Sequence, residues 1–196
     1  MKLLALRCPE CAQPLKPQNQ EVIVLRCGCG TAVSFQYSGL ATFPLQFAAS
    51  AVEKFDAWLP LWIFNGRVHI TSRQTQGRNK QAEQDAEQLW NYPRRLYVPA
   101  WELPTEAASQ LGGDLVQRQP TFERVSQPDT TQPFIEAVVT QEDALKLMEF
   151  VVLNVEAARQ DWLKDLQFHI EATTPQLWAI PAQKDGSGWR MQPVLK

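Results

Sequence analysis

Cys8, Cys11, Cys27 and Cys29 are the only cysteines in the chain, and all fall within its first thirty residues. Their spacing reads Cys-x2-Cys, fifteen intervening residues, then Cys-x-Cys. A tetrahedral zinc site takes four soft ligands at about 2.3 Å from the metal. A Cys-x2-Cys turn presents two sulfurs together and lets backbone N–H groups point at them. Pro9 stiffens the first turn, and Gly28 and Gly30 permit a tight second one. In a reducing compartment such clustering reads as metal binding rather than as disulfides. Four thiolates close the coordination shell, whereas a catalytic zinc keeps a position open for water. One structural Zn²⁺ is therefore the expected cofactor, its binding energy serving to fold a segment too small to have its own core. Iron with the same ligands, or a cluster of free thiols, are the alternatives.

Strand-like runs surround the two cysteine turns: Leu3–Arg7 before the first, Val22–Arg26 before the second, Thr31–Phe35 after it. In this layout, and in Cys8-Pro-Glu-Cys11 and Leu25-Arg-Cys27-Gly-Cys29-Gly-Thr31, residues 1–38 resemble the zinc-ribbon proteins (the rubredoxin-like zinc β-ribbon). The resemblance covers about a fifth of the chain. It departs from the ribbon pattern at the second knuckle, where Gly28 alone separates two cysteines. Many zinc ribbons sit in transcription and translation proteins, so the resemblance also implies nucleic-acid binding as a candidate role.

The elements that carry this unit follow from the rest of the sequence. Pro44–Trp58 has Phe47, Ala51, Phe55 and Trp58 at helical spacing, with Pro60 as its stop. Leu61–Phe64 and Arg67–Ile70 flank Asn65-Gly66, the dipeptide of a two-residue type I′ hairpin turn. Residues 71–91 are polar and predict a long mobile loop or an exposed helix. Leu96–Trp101 predicts a strand, with Pro99 favouring an edge position. Thr105 caps a short predicted helix, Glu106–Leu111, closed by Gly112-Gly113. The strongest helix signal covers 140–166. There Thr140 and Asp143 approximate a capping box, and Ala144, Met148, Val151, Val155, Ala158, Trp162 and Leu166 form one stripe. Gln176–Ile180, a turn at 184–188 and Trp189–Met191 complete the pattern. The expected fold is α+β: the small ribbon at 1–38, then a body at 39–196 with a mostly antiparallel sheet, one long packed helix and a polar mobile loop around 71–91.

Composition bounds the function. The chain has 196 residues, 44% of them hydrophobic and 20% charged, as expected of a cored globular protein. Net charge is −2, with +4 over residues 1–100 and −6 over the remainder, which is no nucleic-acid signature. Arg7, Lys16, Arg26 and Tyr37 are the available contacts for that alternative, offset by Glu10 and Glu21. No run of eighteen apolar residues predicts a spanning helix, and Arg7 and Cys8 interrupt the leader-like start. A cytoplasmic location is expected. His69 and His169 read as core or surface histidines. Glu142 and Asp143 suit a helix first turn. Gly112-Gly113 lacks the lysine of a phosphate loop. No catalytic set emerges. Seven tryptophans are many for this length, and either fill the core between sheet and helix or anchor a partner. Trp62, Trp101, Trp178 and Trp189 are the candidate anchors. The expected role is a non-enzymatic protein-interaction or assembly module, with nucleic-acid binding as the alternative.

Overall fold

One strand, β5 (Ala57–Thr75), is 19 residues long and organises the body. Trp, Leu, Ile and Phe dominate its first half, which is buried on both faces, as a central strand requires. The computed structural model describes residues 6–36, 39–77, 79–126, 128–129, 131–186 and 188–195. Before β5 come β1 (Val24–Arg26), β2 (Ala32–Gln36), β3 (Gly39–Thr42) and β4 (Leu45–Phe47). After it come α1 (Lys80–Trp90), β6 (Arg94–Pro99), α2 (Thr105–Arg118), α3 (Gln141–Ala157), β7 (Leu163–Ala172), β8 (Gln176–Asp185) and β9 (Gly188–Met191). The content is mixed α and β. No helix among the described residues is long and apolar enough to cross a membrane.

Register shows how β5 is used. Ile63 pairs with Gln176 and Tyr97, so β8 and β6 lie on opposite edges. Gly66 pairs with Arg94 on one edge and Ala172 on the other. From there β7 takes the edge that β8 holds earlier. β7 and β8 therefore run end to end along β5, interrupted only at residues 173–175. Thr173 N–H donates to the Asn65 carbonyl at 2.8 Å across that gap. β4 adds to β8 in parallel, and β9 closes an antiparallel hairpin with it. β6 ends the path as an edge strand carrying Pro99, as its proline predicts.

Several expectations are corrected here. Asn65-Gly66 makes no hairpin turn but lies inside β5. Glycine stands there because a Cβ would meet the Glu171 carbonyl oxygen at 2.5 Å and the Leu96 side chain at 3.1 Å, where three strands converge. Pro44–Trp58 is not a helix. Leu45–Phe47 form β4, and Ala48 and Ser50 make single bridges to Arg124 and Pro193. Phe55 and Trp58 meet all the same, edge to face at 4.7 Å. Residues 71–91 are not a loop: Thr71–Thr75 continue β5, and Lys80–Trp90 form α1, N-capped by Asn79. α1 is the exposed-helix alternative realised, with Ala82, Ala86 and Trp90 as its buried side.

Gly112-Gly113 does not end α2, which continues to Arg118 and has Pro104, not Thr105, at its N-cap. The glycines are contact points. A Cβ on Gly112 would lie 2.7 Å from a Val151 methyl of α3 and 2.8 Å from the Tyr97 carbonyl oxygen of β6. Replacing Gly112 by alanine is expected to destabilise the chain by about 1–3 kcal/mol through overpacking, despite alanine's better helix propensity. Urea unfolding of the two proteins side by side measures it.

α3 begins as predicted, with the Thr140 hydroxyl accepting from Asp143 N–H at 3.0 Å. It stops at Ala157 rather than 166. Ala144, Met148, Val151 and Val155 are buried on it, whereas Trp162 sits at φ 51° and is 76% exposed. Leu166 belongs to β7, opposite Arg73. The helical spacing of those last two residues is coincidental.

Candidate metal centre

The cysteine-bearing unit has its own small core of Leu15, Val22, Leu25 and Val33 around Cys8 and Cys27. β1, β2 and β3 form an antiparallel three-stranded sheet behind it, which extends to Thr42. Residues 1–5, and with them most of the expected first strand, lie outside the described residues, as does Tyr37. Arg7 makes a single bridge to Pro14.

Each knuckle is a hydrogen-bonded turn. Ala12 N–H donates to the Cys8 carbonyl at 2.9 Å, and Gly30 N–H to the Cys27 carbonyl at 2.8 Å. Cys27 N–H donates to the Thr31 carbonyl at 2.8 Å, closing the second turn.

The turns bring all four sulfurs within 4.8 Å of one another. Cys8 Sγ lies 3.7 Å from Cys29 Sγ, and Cys11 Sγ lies 3.6 Å from Cys27 Sγ. Four thiolates at 2.3 Å from one tetrahedral ion would stand about 3.8 Å apart, so the donor set fits a metal of that kind. The single residue between Cys27 and Cys29 is no obstacle to this convergence. Without an ion Cys27 and Cys29 are unequal. Burial pushes the Cys27 thiol up to about 12. Hydrogen bonds from the Thr31 side chain and backbone pull exposed Cys29 down to about 6. A cation at the centre would favour the thiolate at all four positions.

The unit is tied to the body by backbone and carboxylate contacts. Ile23 N–H donates to the Ala137 carbonyl at 2.7 Å, and Ala137 N–H returns to Val24 at 2.9 Å. Glu136 accepts from the backbone N–H groups of Gln18 and Asn19 at 2.8 and 2.9 Å, with one oxygen each. No local pattern in the sequence marks Glu136 for this task, 118 residues from Gln18. Arg26 is spent inward, its guanidinium 5.2 Å from the Phe47 ring centre.

The tryptophans named as partner anchors divide. Trp62 is 1% exposed and donates from Nε1 to the Val139 carbonyl at 2.8 Å, and Trp101 is equally enclosed. Trp178 and Trp189 are half-buried, packed beside Phe122 and Lys184 respectively. Two clusters escaped the sequence reading because their members are far apart in the chain. One is a buried ionic group of Arg73, Glu156, Arg159 and Asp161. The other is His69, His169 and Glu171 on the sheet surface. Comparison with protein-family models, with curated proteins and with solved structures gives no match for this chain.

Proposed function

We propose that this chain is a non-enzymatic protein-interaction or assembly module, whose four cysteines hold one structural Zn²⁺ in a zinc-ribbon unit. Closure of the shell by four sulfurs supports a scaffolding metal. It leaves no position for water, and the residues around it are structural turns. Zinc is favoured over iron because the centre needs only tetrahedral sulfur ligation and no redox partner.

The observation that carries the interaction role is the outer side of α3. Leu145, Phe150 and Leu153 are 40%, 51% and 38% exposed there, on a helix whose other side is already buried in the core. A helix apolar on both sides is made to be covered on both. Trp162, just beyond its C-terminus, adds the most exposed large apolar side chain among the described residues. These residues, rather than Trp62 or Trp101, are the anchors the reading now rests on. The nucleic-acid alternative is weaker because Arg26 is turned beneath Phe47.

A photo-cross-linking residue at Leu153 of the full chain, expressed in its native cells, tests this. A discrete protein adduct is expected, absent when the cross-linker replaces exposed Lys164 on the sheet. Replacing Phe150 and Trp162 by serine in the same chain should reduce it several-fold while metal content is unchanged. No adduct at Leu153 overturns the reading, and an adduct removed by nuclease replaces it with the alternative.

A further inference from the structure

Within β7, Phe168 and Ile170 pack toward the core, as do Val68 and Ile70 of β5. Strand alternation therefore sends His69 and His169, which are direct cross-strand partners, to the opposite face. Glu171 lies two residues beyond His169 and shares that face. These are the only two histidines in the chain, and they are brought together from positions a hundred residues apart.

We propose that His69, His169 and Glu171 form a second metal site, for a divalent ion of the zinc class, on this outer sheet face. The three ligand atoms already converge, all within 4.8 Å of one another. The Glu171 carboxylate sets one oxygen 3.3 Å from His69 Nε2 and the other 3.6 Å from His169 Nε2. Ligands at about 2.0–2.2 Å from a tetrahedral ion stand about 3.4 Å apart, so this spacing is that of a coordination shell. His69 Nε2 is shielded from solvent and has no hydrogen-bond partner, although a carboxylate oxygen faces it.

The neighbours keep the three groups free for the ion. Register places Arg67 directly opposite Glu171, where an ion pair would be expected. Its guanidinium instead donates to the Asn91 carbonyl at the end of α1. The carboxylate's only ionisable neighbours within ion-pair distance, among the described residues, are the two histidines. The imidazole rings are stacked, 4.5 Å between centres and 6° from parallel, and because a ring nitrogen binds in the plane of its ring, a ring has to turn about its side-chain bonds for both Nε2 atoms to face one ion. Their side chains are 33% and 57% exposed and that of Glu171 69%, which gives the ion an entry path. Two imidazoles and a carboxylate select a borderline metal such as Zn²⁺ over Mg²⁺ or Ca²⁺. Three protein ligands leave a position open, so this ion would carry water, unlike the one held by four cysteines.

Histidine ring resonances in the full-length protein read this site separately from the cysteines. On titration with Zn²⁺, both rings are expected to shift together and to saturate at one added equivalent. Circular dichroism confirms that each variant remains folded. His169→Ala should abolish the response of His69, and Glu171→Gln should weaken it about tenfold or more. The proposal fails if excess Zn²⁺ moves neither ring, if only one responds, or if His169→Ala leaves the response of His69 unchanged.

Discussion

Replacing Cys27 by serine, or stripping the metal with a chelator, is expected to unfold residues 8–36 while leaving the body's sheet intact. The unit's core contains four aliphatic side chains besides the cysteines. So small a core cannot by itself offset the backbone entropy of ordering nearly thirty residues, and in small four-ligand units the metal's binding energy is folding energy. Amide hydrogen exchange followed residue by residue checks this. Protection at Ala12, Leu15, Cys27 and Gly30 should vanish with the metal, and that at Leu59, Leu61 and Leu177 should remain. Thiol labelling gives a second readout. In the metal-free chain all four thiols of the unfolded unit should alkylate alike, whereas Cys29 (lowered to about 6) labelling ahead of Cys27 (raised to about 12 by burial) would report a unit that stays folded. Full protection at the knuckles without metal would show that the body alone holds the unit in place.

That last outcome has a physical route. Ala137 and Glu136 contribute backbone and carboxylate bonds to the unit, and Val24 and Ala32 sit in the body's main core. The unit is thus docked against the body as well as gathered around its four cysteines. Its docking strand contacts the 133–139 segment, which also receives the Trp62 indole N–H at Val139. Loss of the metal would expose this part of the body without removing its own sheet bonds, so the effect should decay within that segment.

The convergence of the four cysteines was legible in the sequence because it is local. Two short turns and four residues of one type suffice, and their spacing alone brings the sulfurs together. The body was legible where period and burial agree: α3 with its Thr140 cap, β6 with its edge proline, the β8–β9 hairpin. It was misread where a residue's usual local meaning was overruled by packing. Asn65-Gly66 signals a turn, but here the glycine serves the crossing of three strands. Gly112-Gly113 signals a helix end, but serves the approach of α2 to α3. Trp162 and Leu166 continue a helical spacing past the point where Asp161 is drawn away to Arg73. The pairing of His69 with His169 depends on β5 and β7 lying in register, and no local pattern carries that.

Arg73→Met is expected to cost about 3–5 kcal/mol, the largest loss from any single side chain outside the metal centre. Glu156 and Asp161 are 0% and 3% exposed and share this guanidinium. Arg73 Nε donates to Glu156 Oε2 at 2.8 Å, and its two terminal nitrogens both bond to Asp161. A β-bulge at Thr71 makes the geometry possible, because it returns Arg73 to the core face of β5. Glu156 also accepts from Trp90 Nε1 at 2.7 Å and Arg159 Nε at 2.8 Å, so one carboxylate ties α1, α3 and β5 together. Methionine fills the space but leaves Asp161 buried without its cation. Arg73→Lys, which keeps the charge and loses the fork, should fall between the two. Thermal unfolding should show Tm lowered by roughly 10 °C for the methionine variant. The sign of the pH effect follows from Asp161. Arg73 holds its carboxyl below the ordinary value of 3.8. The unfolded chain therefore takes up this proton first, and the stabilisation is complete above pH 3.8 and lost as pH falls through the lower folded value. The gap between wild type and Arg73→Met should accordingly be widest near neutrality and narrow below the ordinary aspartate range. A gap that is small at neutral pH, or that widens on acidification, would show that the buried carboxylates find other partners.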